Sequence, residues 1–218
     1  MIRILLVEDH AVVRNGYRRL LDAEDGLLVV GEAATADEAY ARLCEGGVDV
    51  AMVDLSLRDS SGIDATRRML AREPALRVLV VSMHDNPSFV VQAMRAGALG
   101  YLTKNSEPAE MLNALREVAA GRRVLSAEVA QVVAGAALED EAPLSRLTPR
   151  EFDVLRMAVT GESTEQIANR LHLSQKTVYN HMSSVRQKLG VDNDFNLLRL
   201  AVRHGLTDLP TAFPLRPA

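Results

Sequence analysis

Five residues able to do phosphoryl or metal chemistry stand at the ends of short apolar runs. Glu8 and Asp9 follow Ile2–Val7, Asp54 closes Val48–Asp54, Ser82 closes Arg77–Ser82, and Lys104 follows Leu99–Thr103. Three carboxylates brought close together repel one another unless protons or a cation compensate. A hard divalent ion such as Mg²⁺ meets that need with carboxylates, water and a phosphate oxygen. One carboxylate is then free to attack phosphorus, while a lysine and a hydroxyl hold the phosphoryl oxygens. Taken singly, each acid could be an ordinary solvated strand-end residue. Taken together, residues of the right types at equivalent strand ends argue for a site.

The elements that would position them alternate. Residues 1–121 give five apolar runs with strand character: Ile2–Val7, Leu27–Gly31, Val48–Asp54, Arg77–Ser82 and Leu99–Thr103. Helical patterns separate and follow them, one with Val13, Tyr17, Leu20 and Leu21 on a single face, and then Ala36–Glu45, Ile63–Arg72, Pro87–Ala96 and Pro108–Ala120. Strands and helices in alternation predict a doubly wound parallel sheet. Such sheets place ligands outside the carboxyl ends of their strands, where the five residues fall.

From residue 147 every signal is helical. Thr148-Pro149-Arg150-Glu151 reads as an N-cap, a proline at the first helical position and a capping-box glutamate. Gly161 ends that helix, Ser163 caps a short one, His172-Leu173 turns, and Ser174 caps a third that stops at Gly190. A last helix covers Phe195–His204. At about 100° per residue, Val178, Met182, Val185 and Leu189 form the buried stripe of the third helix. Its opposite face carries Lys176, Asn180, Ser183 and Gln187, flanked by Thr177, Tyr179, His181, Ser184, Arg186 and Lys188. Amides and hydroxyls framed by cations suit base edges and phosphates in a major groove, and Ser174–Leu189 contains no acid. The fold expected is an α/β doubly wound five-stranded parallel sheet, flavodoxin-like, followed by an all-α four-helix helix-turn-helix domain. Its parts are 1–121, a linker 122–146 with a helix at 126–138, the helical domain 147–209 and a tail 210–218. The linker breaks at Glu139-Asp140-Glu141-Ala142-Pro143, and an eight-residue flexible link spans roughly 15 Å, so the two domains can touch.

Two sets of motifs carry a resemblance. Val7-Glu8-Asp9, Val53-Asp54-Leu55, Val80-Val81-Ser82 and Gly100-Tyr101-Leu102-Thr103-Lys104 resemble the signature blocks of bacterial response-regulator receivers. Leu147-Thr148-Pro149-Arg150-Glu151, Ile167-Ala168, Lys176-Thr177-Val178 and Lys188-Leu189-Gly190-Val191 resemble the LuxR-type helix-turn-helix of the NarL/FixJ class, loosely its GacA/UhpA-like branch. The resemblance implies Asp54 as phosphoacceptor, and Mg²⁺ held by Glu8, Asp9, Asp54 and the backbone carbonyl of Ser56. It implies Ser82 and Tyr101 as switch residues and Lys104 as the phosphoryl-binding lysine. It implies phosphorylation by a sensor histidine kinase, promoter binding as a homodimer and an encounter with RNA polymerase, in a transcription regulator rather than an enzyme. Leu197, Leu198, Ala201 and Val202 form the apolar stripe of the last helix expected to make the dimer contact, with packing inside the four-helix domain equally open for Leu197 and Ala201. The chain departs from the pattern at Arg58, where relatives usually have proline, and at Asn105, which leaves the bond after Lys104 without the proline that favours a cis form. It departs again at Tyr179, where many relatives have lysine.

Composition agrees with this reading. The net charge of −4 conceals an acidic front and a basic rear: residues 1–121 sum to −5, 122–143 to −2 and 144–218 to +3. No apolar run approaches a membrane span and the start lacks signal-peptide character, so a cytoplasmic protein without membrane contact is expected. The single cysteine, Cys44, excludes an internal disulfide and reads as packing, and the histidines show no metal-ligand spacing. An aspartyl-phosphate phosphatase would need an acid two residues after its nucleophile, and position 56 is serine. A small-molecule sensor would need an aromatic-rich apolar pocket, and the front half has no Trp and few aromatics.

Overall fold

Six parallel strands, in the order β2-β1-β3-β4-β5-β6, organise the first domain. The structure, a computed structural model, describes residues 1–57, 61–138 and 143–207. Arg58, the acidic Glu139–Ala142 break and the 210–218 tail lie outside the described residues. The strands are β1 (Ile2–Val7), β2 (Leu27–Ala33), β3 (Val50–Val53), β4 (Arg77–Ser82), β5 (Gly100–Thr103) and β6 (Val124–Leu125). The helices between them are α1 (Ala11–Asp22), α2 (Ala36–Cys44), α3 (Gly62–Arg72), α4 (Pro87–Arg95) and α5 (Pro108–Ala119).

The side-chain alternation of the strands splits the core into two layers. Ile4, Leu6, Met52, Leu79, Val81 and Leu102 face α1 and α5, meeting Leu21, Leu112 and Leu115. Leu5, Val7, Ala51, Val53, Val78, Val80 and Tyr101 face α2, α3 and α4. The sixth strand falls inside the segment expected as linker. Its two residues pair with Gly100 and Tyr101 and cover an otherwise open sheet edge. The helix expected at 126–138 forms as α6 (Ala127–Leu138) and rests on α4.

A 3₁₀ turn (Pro143–Arg146) leads into four helices: α7 (Pro149–Val159), α8 (Thr164–Arg170), α9 (Gln175–Leu189) and α10 (Asp194–Arg203). Capping boxes at Thr148/Glu151 and Ser163/Gln166 start α7 and α8, and Ser174 accepts from the Thr177 amide to start α9. Gly190, at φ 65°, ends α9 in the left-handed conformation that glycine adopts without strain. The α2/α3/α4 layer of the first domain runs without interruption into Leu144, Leu147, Phe152, Leu155, Val185 and Leu197 of the second. Among the described residues no helix is long and apolar enough to cross a membrane.

Candidate phosphoacceptor site and DNA-binding helix

The carboxyl ends of β1, β3, β4 and β5 bring the expected residues into one crevice. β1 pairs with β2 on one side and β3 on the other, the point at which strand order reverses. Glu8 and Asp54 are buried there, each with a side chain only 3% exposed, and Asp9 is partly buried beside them. Lys104 Nζ donates to Glu8 Oε2 at 2.6 Å and to Asp54 Oδ2 at 2.9 Å. Burial by itself would lower the Lys104 pKa, but the two carboxylates outweigh it and hold it above its usual value. Burial also pushes the Tyr17 phenol, under the site, up to about 12.

Asp54 Oδ1 is buried and has no hydrogen-bond partner among the described residues. A charged oxygen left in that state is costly, and it marks where an incoming atom is accommodated. Ligand atoms of Glu8, Asp9, His10 and Asp54 all lie within 4.8 Å of one another, a hard-oxygen set that fits a divalent cation. His10 was not anticipated. Its Nδ1 lies 2.9 Å from Asp9 Oδ1 and 3.2 Å from Glu8 Oε1, at the open N-terminus of α1.

Ser82 and Tyr101 are fully buried. Tyr101 donates its hydroxyl to the His84 carbonyl at 2.6 Å, and the His84 amide donates to Ser82 Oγ at 3.3 Å. Burial raises the Tyr101 pKa. The His84 ring, whose pKa burial lowers, has Nε2 2.9 Å from Ser56 Oγ and stacks on Phe89 at 4.1 Å between centroids. The Lys104–Asn105 bond is trans, since the described residues contain no cis peptide.

In α9, Lys176, Tyr179, Asn180, Ser183 and Gln187 are exposed, while Val178 and Val185 are buried as expected. Other expected contact residues have internal partners. Ser184 Oγ and Lys188 Nζ each donate to Glu151 at 2.6 Å, Arg186 pairs with Asp194 at 2.6 Å, and Thr177 Oγ1 lies 2.8 Å from Ser174 Oγ. His181 is half-buried, and burial lowers its pKa despite Glu151 nearby. On α10 the expectation of four dimer contacts needs correcting. Leu197 and Ala201 are 3% and 0% exposed and pack inside the domain, so a partner chain cannot reach them. Leu198 and Val202 are half-buried, and Phe195, which the periodicity did not single out, is 74% exposed.

Residues 4–116 match the family described as response regulator receiver domain, and residues 145–201 match bacterial regulatory proteins, luxR family. The chain belongs to the response-regulator family. It is 35% identical over 214 residues to response regulator UvrY of Escherichia coli, covering 97% of this chain and 98% of that one. It is 35% identical over 211 residues to response regulator GacA of Pseudomonas aeruginosa, covering 95% and 99%. Among solved structures, RcsB of Salmonella enterica bound to a promoter in the presence of the phosphomimetic BeF3− superposes with a TM-score of 0.73 at 26% identity, covering 91% of this chain and 96% of that one. A LuxR-family response regulator from Aurantimonas is 44% identical with a TM-score of 0.61, covering 62% of this chain and 97% of its own.

Sequence reasoning missed how the receiver of this response regulator meets its helix-turn-helix domain. Asn86, Phe89, Gln92 and Arg95, spaced three apart along α4, all meet the second domain. Gln92 Nε2 donates to the Leu144 and Leu147 carbonyls at 3.1 and 3.0 Å, and Phe89 meets Phe152 edge-on at 5.1 Å. A polar residue amid a buried face was the available signal, but its partners lie more than 50 residues away.

Proposed function

We propose that this response regulator is a phosphorylation-controlled transcription factor in which Asp54 takes a phosphoryl group from a sensor histidine kinase. The observation that carries the reading is Asp54 Oδ1, buried without a partner among the described residues, beside Lys104 and the Glu8/Asp9 carboxylates. In the transfer an oxygen–phosphorus bond forms at Asp54 as the kinase's nitrogen–phosphorus bond breaks. Glu8, Asp9, Asp54 and the Ser56 carbonyl would hold Mg²⁺, which when bound supplies positive charge to the phosphoryl oxygens. Lys104 can exchange Asp54 Oδ2 for a phosphoryl oxygen while keeping its bond to Glu8. Ser82 can turn its hydroxyl to a second phosphoryl oxygen, which alters the His84 segment that Tyr101 also holds.

The output is promoter binding as a dimer, with the exposed face of α9 in the major groove and the outer side of α10 pairing two chains. The similarity to promoter-bound RcsB supports this. The chain acts on no substrate beyond its own phosphoryl group, works where DNA is accessible in the cytoplasm and meets RNA polymerase there.

The test uses acetyl phosphate and Mg²⁺ on the wild type and on Asp54→Asn. An acyl-phosphate on the wild type alone is the expected result. Its absence from the wild type, or its persistence in Asp54→Asn, would overturn the proposal.

A further inference from the structure

The receiver and the helix-turn-helix domain are joined by buried polar contacts that neither the phosphoacceptor chemistry nor the DNA contacts require. Ser61, the N-cap of α3, donates its hydroxyl to Asp153 of α7 at 2.5 Å, and both residues are 1% exposed. Asp64, in the first turn of α3, pairs with Arg150 of α7 at 2.9 Å and with Arg67 of its own helix at 2.7 Å. α4 adds the Phe89–Phe152 contact and the two Gln92 hydrogen bonds beside them. Burying a charged pair is costly unless its geometry is good, so a solvated flexible link between independent domains would not carry these groups.

This seat is built directly on the phosphoacceptor loop. Gly62 lies between Ser61 and the rest of α3, and a Cβ at Gly62 would stand 2.0 Å from the Asp54 carbonyl oxygen. The backbone of the acceptor therefore packs against the first turn of the helix that holds α7. On the other flank the His84 ring joins Ser56 to Phe89, and Phe89 joins α7.

The seat also leaves the reading face of α9 free. Lys176, Tyr179, Asn180, Ser183 and Gln187 are exposed while α7 is docked. Covering the recognition helix is thus not what docking does.

We propose that the N-terminal turn of α3, with the Phe89/Gln92 face of α4, is a docking surface for α7, and that the docked arrangement is the one that binds DNA. Docking fixes the direction in which α9 leaves the receiver, so that two paired receivers present two recognition helices in register. An undocked helix-turn-helix domain must first be oriented, and affinity falls by the fraction of molecules in the competent arrangement. The inference rests on the reading of the chain as a DNA-binding regulator.

The test compares full-length wild type, Asp64→Arg, and the charge exchange Asp64→Arg with Arg150→Asp. Docking is read as hydrogen exchange in the first turns of α3 and α7. Receiver integrity is read as acyl-phosphate formed from acetyl phosphate. DNA binding is read on a duplex selected from random sequence by the phosphorylated wild type. Asp64→Arg is expected to speed exchange at both turns, keep its acyl-phosphate and lose about tenfold in affinity for that duplex. The charge exchange is expected to restore slow exchange and most of the affinity. Unchanged exchange in Asp64→Arg, or tighter DNA binding by it, overturns the proposal; the latter would make the seat a restraint on binding. Should Asp64→Arg give no acyl-phosphate, Gln92→Leu, which removes two docking hydrogen bonds from α4, carries the same test with the same signs. If the phosphorylated wild type selects no duplex, the DNA-binding reading fails while the exchange data still report on docking.

Discussion

Glu151 offers the sharpest test of how α9 is held. Its carboxylate accepts from the Thr148 amide at 2.8 Å, from Ser184 at 2.6 Å and from Lys188 at 2.6 Å. It therefore caps α7 and clamps α9 with one group. Burial acts to raise its pKa, but the Lys188, Ser184 and Thr148 hydrogen bonds outweigh that and hold it at about 2 against an ordinary 4.5. That difference corresponds to about 3 kcal/mol of stability at neutral pH. Water screens part of it, since the Lys188 side chain is 35% exposed, so Glu151→Gln is expected to lose about 2 kcal/mol. The sign is that of a depressed carboxylate. Stability is present above pH 4.5, and it is lost as pH falls from there towards 2.

Glutamine imitates the protonated acid, so the gap between wild type and variant should be widest near pH 7 and close through that window. Native-state hydrogen exchange of α7 and α9 in the full chain, followed by mass spectrometry, reads the gap directly. The same variant should bind DNA more weakly, because the ties from Ser184 and Lys188 of α9 to α7 lose the charge that strengthens them. Equal protection of wild type and variant at pH 7, or a gap that does not narrow in acid, would refute the clamp.

Other perturbations give independent checks. Lys104→Met, without metal, strands Glu8 and Asp54 as a buried like-charge pair and should destabilise the receiver by about 3–5 kcal/mol, measured by thermal unfolding. Saturating Mg²⁺ should recover about 2.7 kcal/mol of that loss at a hundred times its Kd. Asn180→Ala should weaken binding to a specific site more than to random duplex, and equal losses in a competition assay would mean Asn180 does not read bases. Burial pushes the Asp153 carboxyl up to about 6 from 3.8, against Arg156, Ser61 and Arg150 and with Asp64 adding to the rise. The docked state then holds this proton more tightly, so docking should strengthen as pH falls from about 6 towards 3.8. Asp153→Asn should remove that dependence from the exchange of α7.

The fold was legible because its period-two and period-3.6 patterns are local properties of the chain. The expected strands match within a few residues at their ends, and the caps at Thr148, Ser163 and Ser174 stand where their residue types put them. β6 was not legible. Two residues, Val124 and Leu125, are too few to show a period, and they become a strand only because β5 offers an unpaired edge.

The site divides in the same way. Glu8, Asp9, Asp54, Ser82 and Lys104 converge because strand ends in a parallel sheet converge, a consequence that needs only the order of elements. What escaped were pairings set by how one domain lies on the other or one helix on another. Glu151 was readable as a capping-box residue, but its second duty towards Ser184 and Lys188 depends on α9 crossing the start of α7. Leu197 and Ala201 share the apolar stripe of α10 with Leu198 and Val202, and only packing against α7 and α9 separates core from surface. Ser61 and Asp64 looked like a helix cap and a first-turn acid, roles they keep. Their contact with α7 gives those local roles a reach that a single sequence does not disclose. The candidate site is thus set by strand topology, whereas the contacts between the domains are set by how α7 lies on α3 and α4.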